Sequence, residues 1–485
     1  MLQHPSHPLI RLGLEHHRYG RFALAEQIYT TILASAPDHA EALYYLGVLA
    51  QQTDDHRKAC EWLRRACAAA PDSPLVHFQL ALSLAQTNAI VDAIASYRRA
   101  LSLNPAYVEA HCNLGNLLKH SGDIEGSIDC YRRALQLAPT LPQIHYNLGI
   151  LFQEQLQPEE AAQYFGNVIR IRADHAAAHN ALGAALSELG RVDEAIECYR
   201  KAQALEPNSP DAWFNMHALL LDRSDLSAAI GCLQKATEIA PANAGYRFFL
   251  GLLHDYEGRP EMAHPHFDAC RSDERAKADL EAWNYLKTPS GCKLPALLGY
   301  PLQAIRLSLI CARVDGLVLE FGVFHGKSIR QIASLVGGIV HGFDSFQGLP
   351  EDWNSETAAS YSTRGVLPDV PENVRLHVGW FEESIPRFLR EESGPVRFIN
   401  IDCDLYRSTK TVLEGLAGRI VPGTVIVFDE YIGHPSWRDD ECKAFSEAAV
   451  QFGWSYEIVC FSFVTKQVAV RILHPDAAHP ASDVR

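Results

Sequence analysis

Acidic residues and glycines follow several short apolar runs in the second half of this 485-residue chain. The first run ends in Glu320, which is followed by Gly322, Gly326 and Ser328. Glycines let the backbone turn tightly beneath a ligand, and a glutamate can pair with a cationic group. We predict that these four residues bind a small charged molecule.

The second run ends at Asp344 and Ser345, about twenty residues after the glycine-rich turn. At this spacing, a carboxylate accepts hydrogen bonds from both ribose hydroxyls of a nucleotide-like cofactor. The alternative is that Asp344 or Ser345 caps a helix, and the two roles can coexist. After the third run, Trp380 and Phe381 either flank an adenine ring or pack beneath the sheet.

Carboxylates gather after the fourth and fifth runs, at Asp402, Asp404, Asp429 and Glu430. Carboxylates at adjacent strand ends repel one another unless a cation neutralises them, so the pattern indicates a bound cation. Asp402, the nearest to its strand, is assigned to the cofactor. A proton released in this region could pass to Asp404 or to His434, although His434 could equally be an exposed loop histidine.

The elements that must position these residues alternate between strands and helices, which predicts βαβ units and a parallel sheet. The predicted strands are 317–321, 339–344, 374–378, 398–402, 424–429, 455–463 and 467–473. The last two are separated by only three residues and should form an antiparallel hairpin. Five parallel strands followed by a hairpin is the order of the Rossmann-like class I methyltransferase fold. Ligands of open α/β sheets bind at the carboxyl ends of the strands.

Five ordered motifs resemble the macrocin O-methyltransferase family over about residues 300 to 473. They are VLEFGVFHG at 318–326, DSFQGLP at 344–350, GWFEESIP at 379–386, DCDLYRST at 402–409 and DEY at 429–431. The resemblance implies Mg²⁺-dependent methyl transfer from S-adenosylmethionine to a hydroxyl, which in that family belongs to a macrolide sugar. It also implies that Asp404, Asp429 and Glu430 hold the metal. The family usually has aspartate at position 430, so the longer glutamate changes the coordination geometry.

The first half of the chain repeats a 34-residue pattern eight times without insertion. Each unit has a Leu-Gly type pair, a small residue twelve positions after the glycine and an aromatic residue or leucine four positions later. The leading pairs begin at Leu12, Leu46, Leu80, Leu114, Leu148, Leu182, Met216 and Leu250. This pattern resembles the tetratricopeptide repeat (TPR) family and predicts an all-α superhelical solenoid with a concave groove for a protein or peptide.

One register of the groove-facing helices holds Gln79, Asn113, Asn147 and Asn215. Their amides offer donors and acceptors to an extended peptide, similar to the asparagine ladder in the TPR domain of O-linked N-acetylglucosamine transferase. Alternatively, Asn-Leu-Gly is simply a frequent helix sequence in such repeats.

The predicted organisation is eight repeats over 6–277, a capping helix and linker over 278–300, a methyltransferase domain over 301–474 and a disordered tail over 475–485. The polar segment 351–372 is long enough to be a lid over the site. The net charge of −15 and the pI near 5.8 argue against binding to nucleic acid or anionic membranes. Twelve cysteines without a Cys-x-x-Cys pair, and the lack of a signal peptide or membrane span, predict a cytoplasmic protein.

We therefore expect an S-adenosylmethionine-dependent, Mg²⁺-assisted O-methyltransferase for a sugar or polyhydroxylated acceptor, with a TPR groove that recruits a protein or carrier. Two alternatives stay open. The catalytic domain could have lost its activity and left a TPR scaffold, or the chemistry could be metal-independent N-methylation.

Overall fold

The computed structural model describes residues 8–287, 294–353 and 358–474. The chain divides into two compact units, Met1–Glu154 with Gln163–Ala173 and Gln155–Ala162 with Asp174–Arg485. The division falls inside the repeat array, in helix Pro158–Ile171, and not at the repeat boundary near residue 277. The predicted tail and residues 288–293 of the predicted linker lie outside the described residues.

The repeats are antiparallel helical hairpins. Their helices are α1 Pro8–Arg18, α2 Phe22–Ser35, α3 Ala40–Gln52, α4 His56–Ala69, α5 Pro74–Gln86, α6 Ile90–Leu103, α7 Val108–His120, α8 Ile124–Leu137, α9 Pro142–Glu154, α10 Pro158–Ile171, α11 Ala176–Glu188, α12 Val192–Leu205, α13 Asp211–Asp222, α14 Leu226–Ile239, α15 Ala244–Tyr256 and α16 Pro260–Cys270. Side chains such as Asp55 and Asp123 accept hydrogen bonds from backbone N–H groups in the first turns of α4 and α8, which fixes where these helices begin.

The glycine position of the repeat is where the two helices of a hairpin approach most closely. A Cβ added to Gly13 would lie 2.4 Å from the ring of Tyr29, and one added to Gly183 would lie 2.7 Å from the ring of Tyr199. Both rings are completely buried. The predicted pairing of a glycine with a large side chain sixteen residues later is confirmed, and with it the TPR architecture.

Helix α17, Glu274–Leu286, follows the repeats, and Asp273 caps it by accepting a hydrogen bond from the N–H of Ala276. A helix is thus present where a capping helix is predicted, but it begins at Glu274 and not at residue 278. In the second unit, one hydrophobic core continues from α11–α17 into the following domain. The ring of Phe248 on α15 lies 5.0 Å from that of Phe463, and Trp283 on α17 lies 5.8 Å from Phe461.

The remaining elements build an eight-stranded sheet flanked by helices. They are β1 Ala296–Leu297, α18 Pro301–Cys311, β2 Leu317–Phe321, α19 Lys327–Leu335, β3 Val340–Asp344, β4 Val374–Val378, α20 Phe381–Glu391, β5 Val396–Ile401, α21 Tyr406–Leu416, β6 Val425–Phe428, α22 Glu441–Phe452, β7 Ser455–Phe461 and β8 Val468–Leu473. The strand order is β1-β7-β8-β6-β5-β2-β3-β4. β8 is antiparallel to both of its neighbours, and the other pairings are parallel.

This sheet confirms the predicted class I methyltransferase order, with each predicted strand present to within two residues at either end. One element differs from the sequence analysis. Residues 296 and 297, which lie within the predicted linker, form the edge strand β1 beside β7. A two-residue strand leaves no periodic pattern, so the sequence could not reveal it. Within the described residues, no helix is both long enough and apolar enough to span a membrane.

Candidate functional site

The glycine-rich turn after β2 requires glycine at position 322. The φ angle of Gly322 is +91°, and an added Cβ would lie 1.6 Å from the carbonyl oxygen of Asp402. The N–H of Gly322 donates to Phe343, and the N–H of Asp402 donates to Phe321, at 3.0 and 2.8 Å. Gly326, also at positive φ, precedes the first turn of α19. The ends of β2, β3 and β5 therefore meet around this turn.

Glu320 is completely buried beneath the turn. Asn400 on the neighbouring strand donates to Oε1 at 3.0 Å, whereas Oε2 has no hydrogen-bond partner among the described residues. Burial raises the pKa of Glu320 to about 8, although the nearby Ser328 hydroxyl and the hydrogen bond from Asn400 favour the charged form. An unpartnered buried carboxylate is costly unless a cation pairs with it.

Asp344 has a role that the sequence analysis did not anticipate. Its Oδ2 accepts the backbone N–H groups of Val323 and Phe324, both at 2.8 Å, and its Oδ1 accepts that of Phe346 at 2.7 Å. The carboxylate thus ties β3 to the glycine-rich turn, and contact with a ribose would use its remaining lone pairs. Ser345 Oγ accepts the N–H of Gln347, as a turn-forming side chain does.

Trp380 and Phe381 have different surroundings. The ring of Phe381 lies 5.3 Å from that of Phe321, edge to face, and packs against the core. Trp380 is 37% exposed and precedes α20. Of the two aromatic residues predicted to flank an adenine, Trp380 is the more exposed.

The carboxylates after β5 and β6 influence one another. Burial, followed by the charges of Asp429 and Asp404, holds the pKa of Asp402 well above its usual range. Burial and the charges of Glu430 and Asp429 raise the pKa of Asp404 to about 7, and burial with Glu430 raises that of Asp429 to about 6. Asp404 also sits at a φ of +61°. The predicted acidic cluster is therefore assembled at one edge of the sheet.

The acidic pair after β6 is already engaged by two side chains from the turn between β7 and β8. Lys466 Nζ lies 3.0 and 2.8 Å from the two carboxylate oxygens of Glu430, and the amide of Gln467 donates to Asp429. Across residues 8–287, 294–353 and 358–474, no group of three or more histidine, cysteine, aspartate or glutamate side chains is arranged to hold a metal ion. Of the residues that the resemblance implied as metal ligands, Glu430 and Asp429 fit a divalent cation poorly, because both oxygens of Glu430 and one oxygen of Asp429 are hydrogen-bonded to protein donors.

His434 is buried, and both of its ring nitrogens have contacts. Nε2 lies 2.9 Å from the carbonyl oxygen of Glu430, so this nitrogen carries the hydrogen, and Nδ1 lies 3.2 Å from Ser436 Oγ. The hydroxyl of Ser436 is also 3.0 Å from Asp440. The alternative that His434 is an exposed loop histidine is wrong. Its role as a base stays a prediction.

Besides Lys466, three further charged residues of this region escaped the sequence analysis. Glu441, at the start of α22, is completely buried; its Oε2 accepts the N–H of Glu430, and its Oε1 has no partner among the described residues. Lys327 pairs at 3.2 Å with Glu188 of α11. Burial alone would lower the pKa of Lys327, but the charges of Glu188, Asp429 and Asp402 raise it. In the sequence, the features that could have indicated these residues are the acidic first turn of α22 and the lysine beside Gly326.

The segment predicted to be a lid contacts two parts of the site, and residues 354–357 of it lie outside the described part. Trp353 packs edge-on against His434, with ring centroids 6.1 Å apart, and Tyr361 packs against Phe324 at 5.8 Å. Its far end is joined to α19 by the guanidinium of Arg330, which donates to the carbonyl of Asp369 at 3.3 Å. The segment therefore lies beside both the glycine-rich turn and the loop after β6.

The repeat asparagines form hydrogen-bonded pairs between consecutive repeats. Asn147 donates to Asn116 at 3.4 Å in the first unit, and Asn215 donates to Asn180 at 3.2 Å in the second. Gln143 also donates to Asn147 at 2.8 Å. Any peptide that uses these amides must share or replace such contacts.

The fold and the site define a repeat protein joined to a Rossmann-like methyltransferase domain. A family model described as a methyltransferase domain matches residues 319–431. Tetratricopeptide repeat models match residues 10–74, 84–122, 115–155 and 176–209. The chain therefore carries tetratricopeptide repeats followed by a methyltransferase domain.

A curated relative gives the most specific comparison. The chain is 30% identical over 155 residues to the 8-demethyl-8-(2,3-dimethoxy-alpha-L-rhamnosyl)-tetracenomycin-C 4'-O-methyltransferase of Streptomyces olivaceus. The match covers 27% of this chain and 58% of that protein. The chain thus spans a little more than half the length of this relative.

Solved structures of repeat proteins are also similar to the chain. The solved C-terminal part of a TPR repeat-containing protein from Cytophaga hutchinsonii is 13% identical; the match covers 49% of this chain and 97% of that solved part, with a TM-score of 0.44. The pilF protein of Pseudomonas aeruginosa is 20% identical; the match covers 43% of this chain and 96% of that chain, with a TM-score of 0.38. Likenesses of this degree say nothing about function.

Proposed function

We propose that this protein transfers a methyl group from S-adenosylmethionine to a hydroxyl of a sugar or other polyhydroxylated acceptor. Glu320 carries the proposal, because its buried Oε2 has no partner in the described structure and lies beside the glycine-rich turn. An amino-acid ammonium group would complete that site. The match to a methyltransferase domain and the sugar named in the relative's description support the same choice.

The cofactor contacts that we propose follow from the placement of each residue. Glu320 pairs with the ammonium group, and Gly322 and Gly326 let the backbone pass beneath the ligand. Asp344 contacts the ribose with lone pairs that its backbone partners leave free. Trp380 is proposed for the adenine, since Phe381 packs against Phe321.

Asp404 is the base that we propose. When bound, S-adenosylmethionine supplies an electrophilic methyl group and departs as a neutral thioether. The acceptor oxygen gains the methyl group, and its proton passes to the carboxylate of Asp404. A pKa of about 7 suits a base that works near neutral pH. His434 is less suited, because burial lowers its pKa below the usual value.

Magnesium assistance, which the resemblance implied, does not enter the proposed step. Both oxygens of Glu430 bind Lys466, and Asp429 accepts a hydrogen bond from Gln467. Mg²⁺ is usually held by one or two carboxylates together with water, and two of the three implied ligands are already hydrogen-bonded to Lys466 and Gln467. The proposed proton transfer to Asp404 therefore uses protein groups alone.

We also propose that the repeats bind a protein or peptide that carries or recruits the acceptor, since TPR arrays form such binding surfaces. A cytoplasmic location is proposed with it. The cysteines of the described residues are free thiols, as is usual in a reducing compartment.

Calorimetric titration with S-adenosylmethionine tests the cofactor assignment. Glu320→Gln removes the charge without changing the size of the side chain and should weaken binding by about 10- to 100-fold, as expected when a hydrogen bond to a charged group is lost. Glu414→Gln, on an exposed face of α21, is the matched control and should bind as the wild type does. Equal affinities for both variants would remove Glu320 from the site.

The acceptor class is tested by product mass. The protein is incubated with S-adenosylmethionine and either methyl α-L-rhamnopyranoside or an amino-sugar glycoside. We expect a methylated product from the hydroxyl acceptor. Methylation of the amine alone would replace the proposed O-methyl transfer with N-methyl transfer.

A further inference from the structure

The turn between β7 and β8 brings two donors to the two acidic residues that follow β6. Lys466 Nζ lies within 3.0 Å of both carboxylate oxygens of Glu430. The next residue, Gln467, donates its side-chain amide to Asp429. Consecutive residues of one turn thus bind consecutive residues at one strand end.

The backbone holds Lys466 in place for this contact. Lys466 adopts a left-handed conformation, with a φ of +60°, and its carbonyl accepts the N–H of Ile432 at 3.3 Å. Its side chain runs along Gly433, where an added Cβ would lie 2.9 Å from Lys466 Cγ. Ser462 donates its backbone N–H to the carbonyl of Gln467 at 2.9 Å, which closes the turn. The ammonium group is therefore positioned by the fold and does not depend on a mobile surface side chain.

A divalent metal and this ammonium group compete for the same oxygens. Mg²⁺ binds carboxylate oxygens at about 2.0 to 2.1 Å, and the ammonium group hydrogen-bonded to both oxygens of Glu430 leaves only their remaining lone pairs for that contact. Repulsion between the Lys466 charge and a nearby dication would add to the cost. Position 430 is also glutamate and not the aspartate usual in the resembled family, and its additional methylene lengthens the reach of the carboxylate.

We propose that Lys466 is the resident cation of this site, so that methyl transfer proceeds without a divalent metal. Gln467 assists by satisfying Asp429. The inference rests on the proposed function. The fixed positive charge compensates Glu430, and Asp404 remains to receive the acceptor proton.

Metal binding by the full-length protein is the direct test. After dialysis against EDTA, each protein is titrated with Mn²⁺ by calorimetry and by electron paramagnetic resonance. Lys466→Asn removes the charge and tolerates the left-handed conformation, whereas Lys466→Arg retains the charge. Lys235→Asn is the matched control, since Lys235 pairs with Glu238 on the exposed surface of α14.

The wild type, Lys466→Arg and Lys235→Asn should bind no Mn²⁺ below about 1 mM, and Lys466→Asn should bind it at least about tenfold more tightly. Mn²⁺ binding by the wild type that Glu430→Gln abolishes would overturn the inference. So would a folded Lys466→Asn variant with unchanged metal affinity. If circular dichroism shows that Lys466→Asn does not fold, the wild-type and Lys466→Arg titrations decide alone.

Turnover provides the second readout. With methyl α-L-rhamnopyranoside as acceptor, wild-type activity should persist in excess EDTA, whereas Lys466→Asn should lose activity and regain it when Mg²⁺ is added. Loss of wild-type activity in EDTA with recovery in Mg²⁺ would contradict the inference. The absence of any product under all conditions would count against the proposed function, while the Mn²⁺ titrations would still decide the role of Lys466.

Discussion

Replacing Asp222 by asparagine should make the stability of the second unit less sensitive to pH. Asp222 ends α13, and its carboxylate accepts the N–H of Gly299 at 2.7 Å and that of Tyr300 at 3.1 Å. It thereby joins a repeat helix to the start of the methyltransferase domain. Burial raises its pKa from 3.8 to about 6, although the two backbone hydrogen bonds favour the charged form.

The magnitude follows from that pKa. The folded state binds the proton of Asp222 more tightly than the unfolded state does. The contribution of this protonated carboxyl group to the free energy of unfolding is therefore complete below about pH 4 and is lost as the pH rises through about 6. A shift of about two units corresponds to about 3 kcal/mol at about 1.4 kcal/mol per unit. Asparagine carries no charge and should show no such loss. The difference in the free energy of unfolding between wild type and Asp222→Asn should therefore change by about 2 to 3 kcal/mol between about pH 4 and pH 7.5.

The assay is urea denaturation at several pH values. At each urea concentration, mass spectrometry measures hydrogen exchange in the peptides that cover α13 and residues 294–303. The unfolding of the second unit is thereby observed separately. Comparison of the two proteins at each pH removes the contribution of the other buried carboxylates. Asp315→Asn, at an exposed position before β2, is the control and should follow the wild type. Parallel pH profiles for Asp222→Asn and wild type would refute the reasoning.

Two further predictions concern the domain boundary and Asp344. A fragment of residues 155–485 should fold and bind S-adenosylmethionine. A fragment of residues 273–485 should be poorly soluble, because it lacks Phe248, which packs on Phe463. Equal soluble yields and equal cofactor affinities of the two fragments would show that the repeats are dispensable. Asp344→Ala should lower both cofactor affinity and thermal stability, because three backbone N–H groups lose their acceptor. Each N–H group left buried without a partner costs about 1 to 3 kcal/mol of stability. Loss of affinity with an unchanged melting temperature would confine Asp344 to the ribose.

The sequence predicted those features that depend on local pattern. The 34-residue period located the helical hairpins, and the apolar runs located the strands to within two residues. Because parallel strands end at one edge of a sheet, the same runs also brought Glu320, Asp402 and Asp429 together. Such features follow from periodicity and chain connectivity, which a single sequence contains.

Contacts between distant segments could not be predicted. Lys466 lies 36 residues beyond Glu430, in a turn whose left-handed backbone aims its side chain back at β6. Glu188 meets Lys327 across 139 residues, from a position that the repeat pattern treats as ordinary. The roles of these charged residues depend on tertiary packing, and neither segment contains a periodic signal that reports it.

The core shared by α11–α17 and the sheet also affects the order in which the protein can form during synthesis. Repeat proteins often fold from the first repeat as the chain emerges, since each repeat contacts only its neighbours. Here Phe248 and Trp283 pack on Phe463 and Phe461, which are about 200 residues later for each pair. At roughly 5 to 20 residues per second, those partners emerge about 10 to 40 seconds afterwards. Until the final hairpin of the sheet has been made, the apolar surface of the last repeats that packs on it therefore lacks its partner.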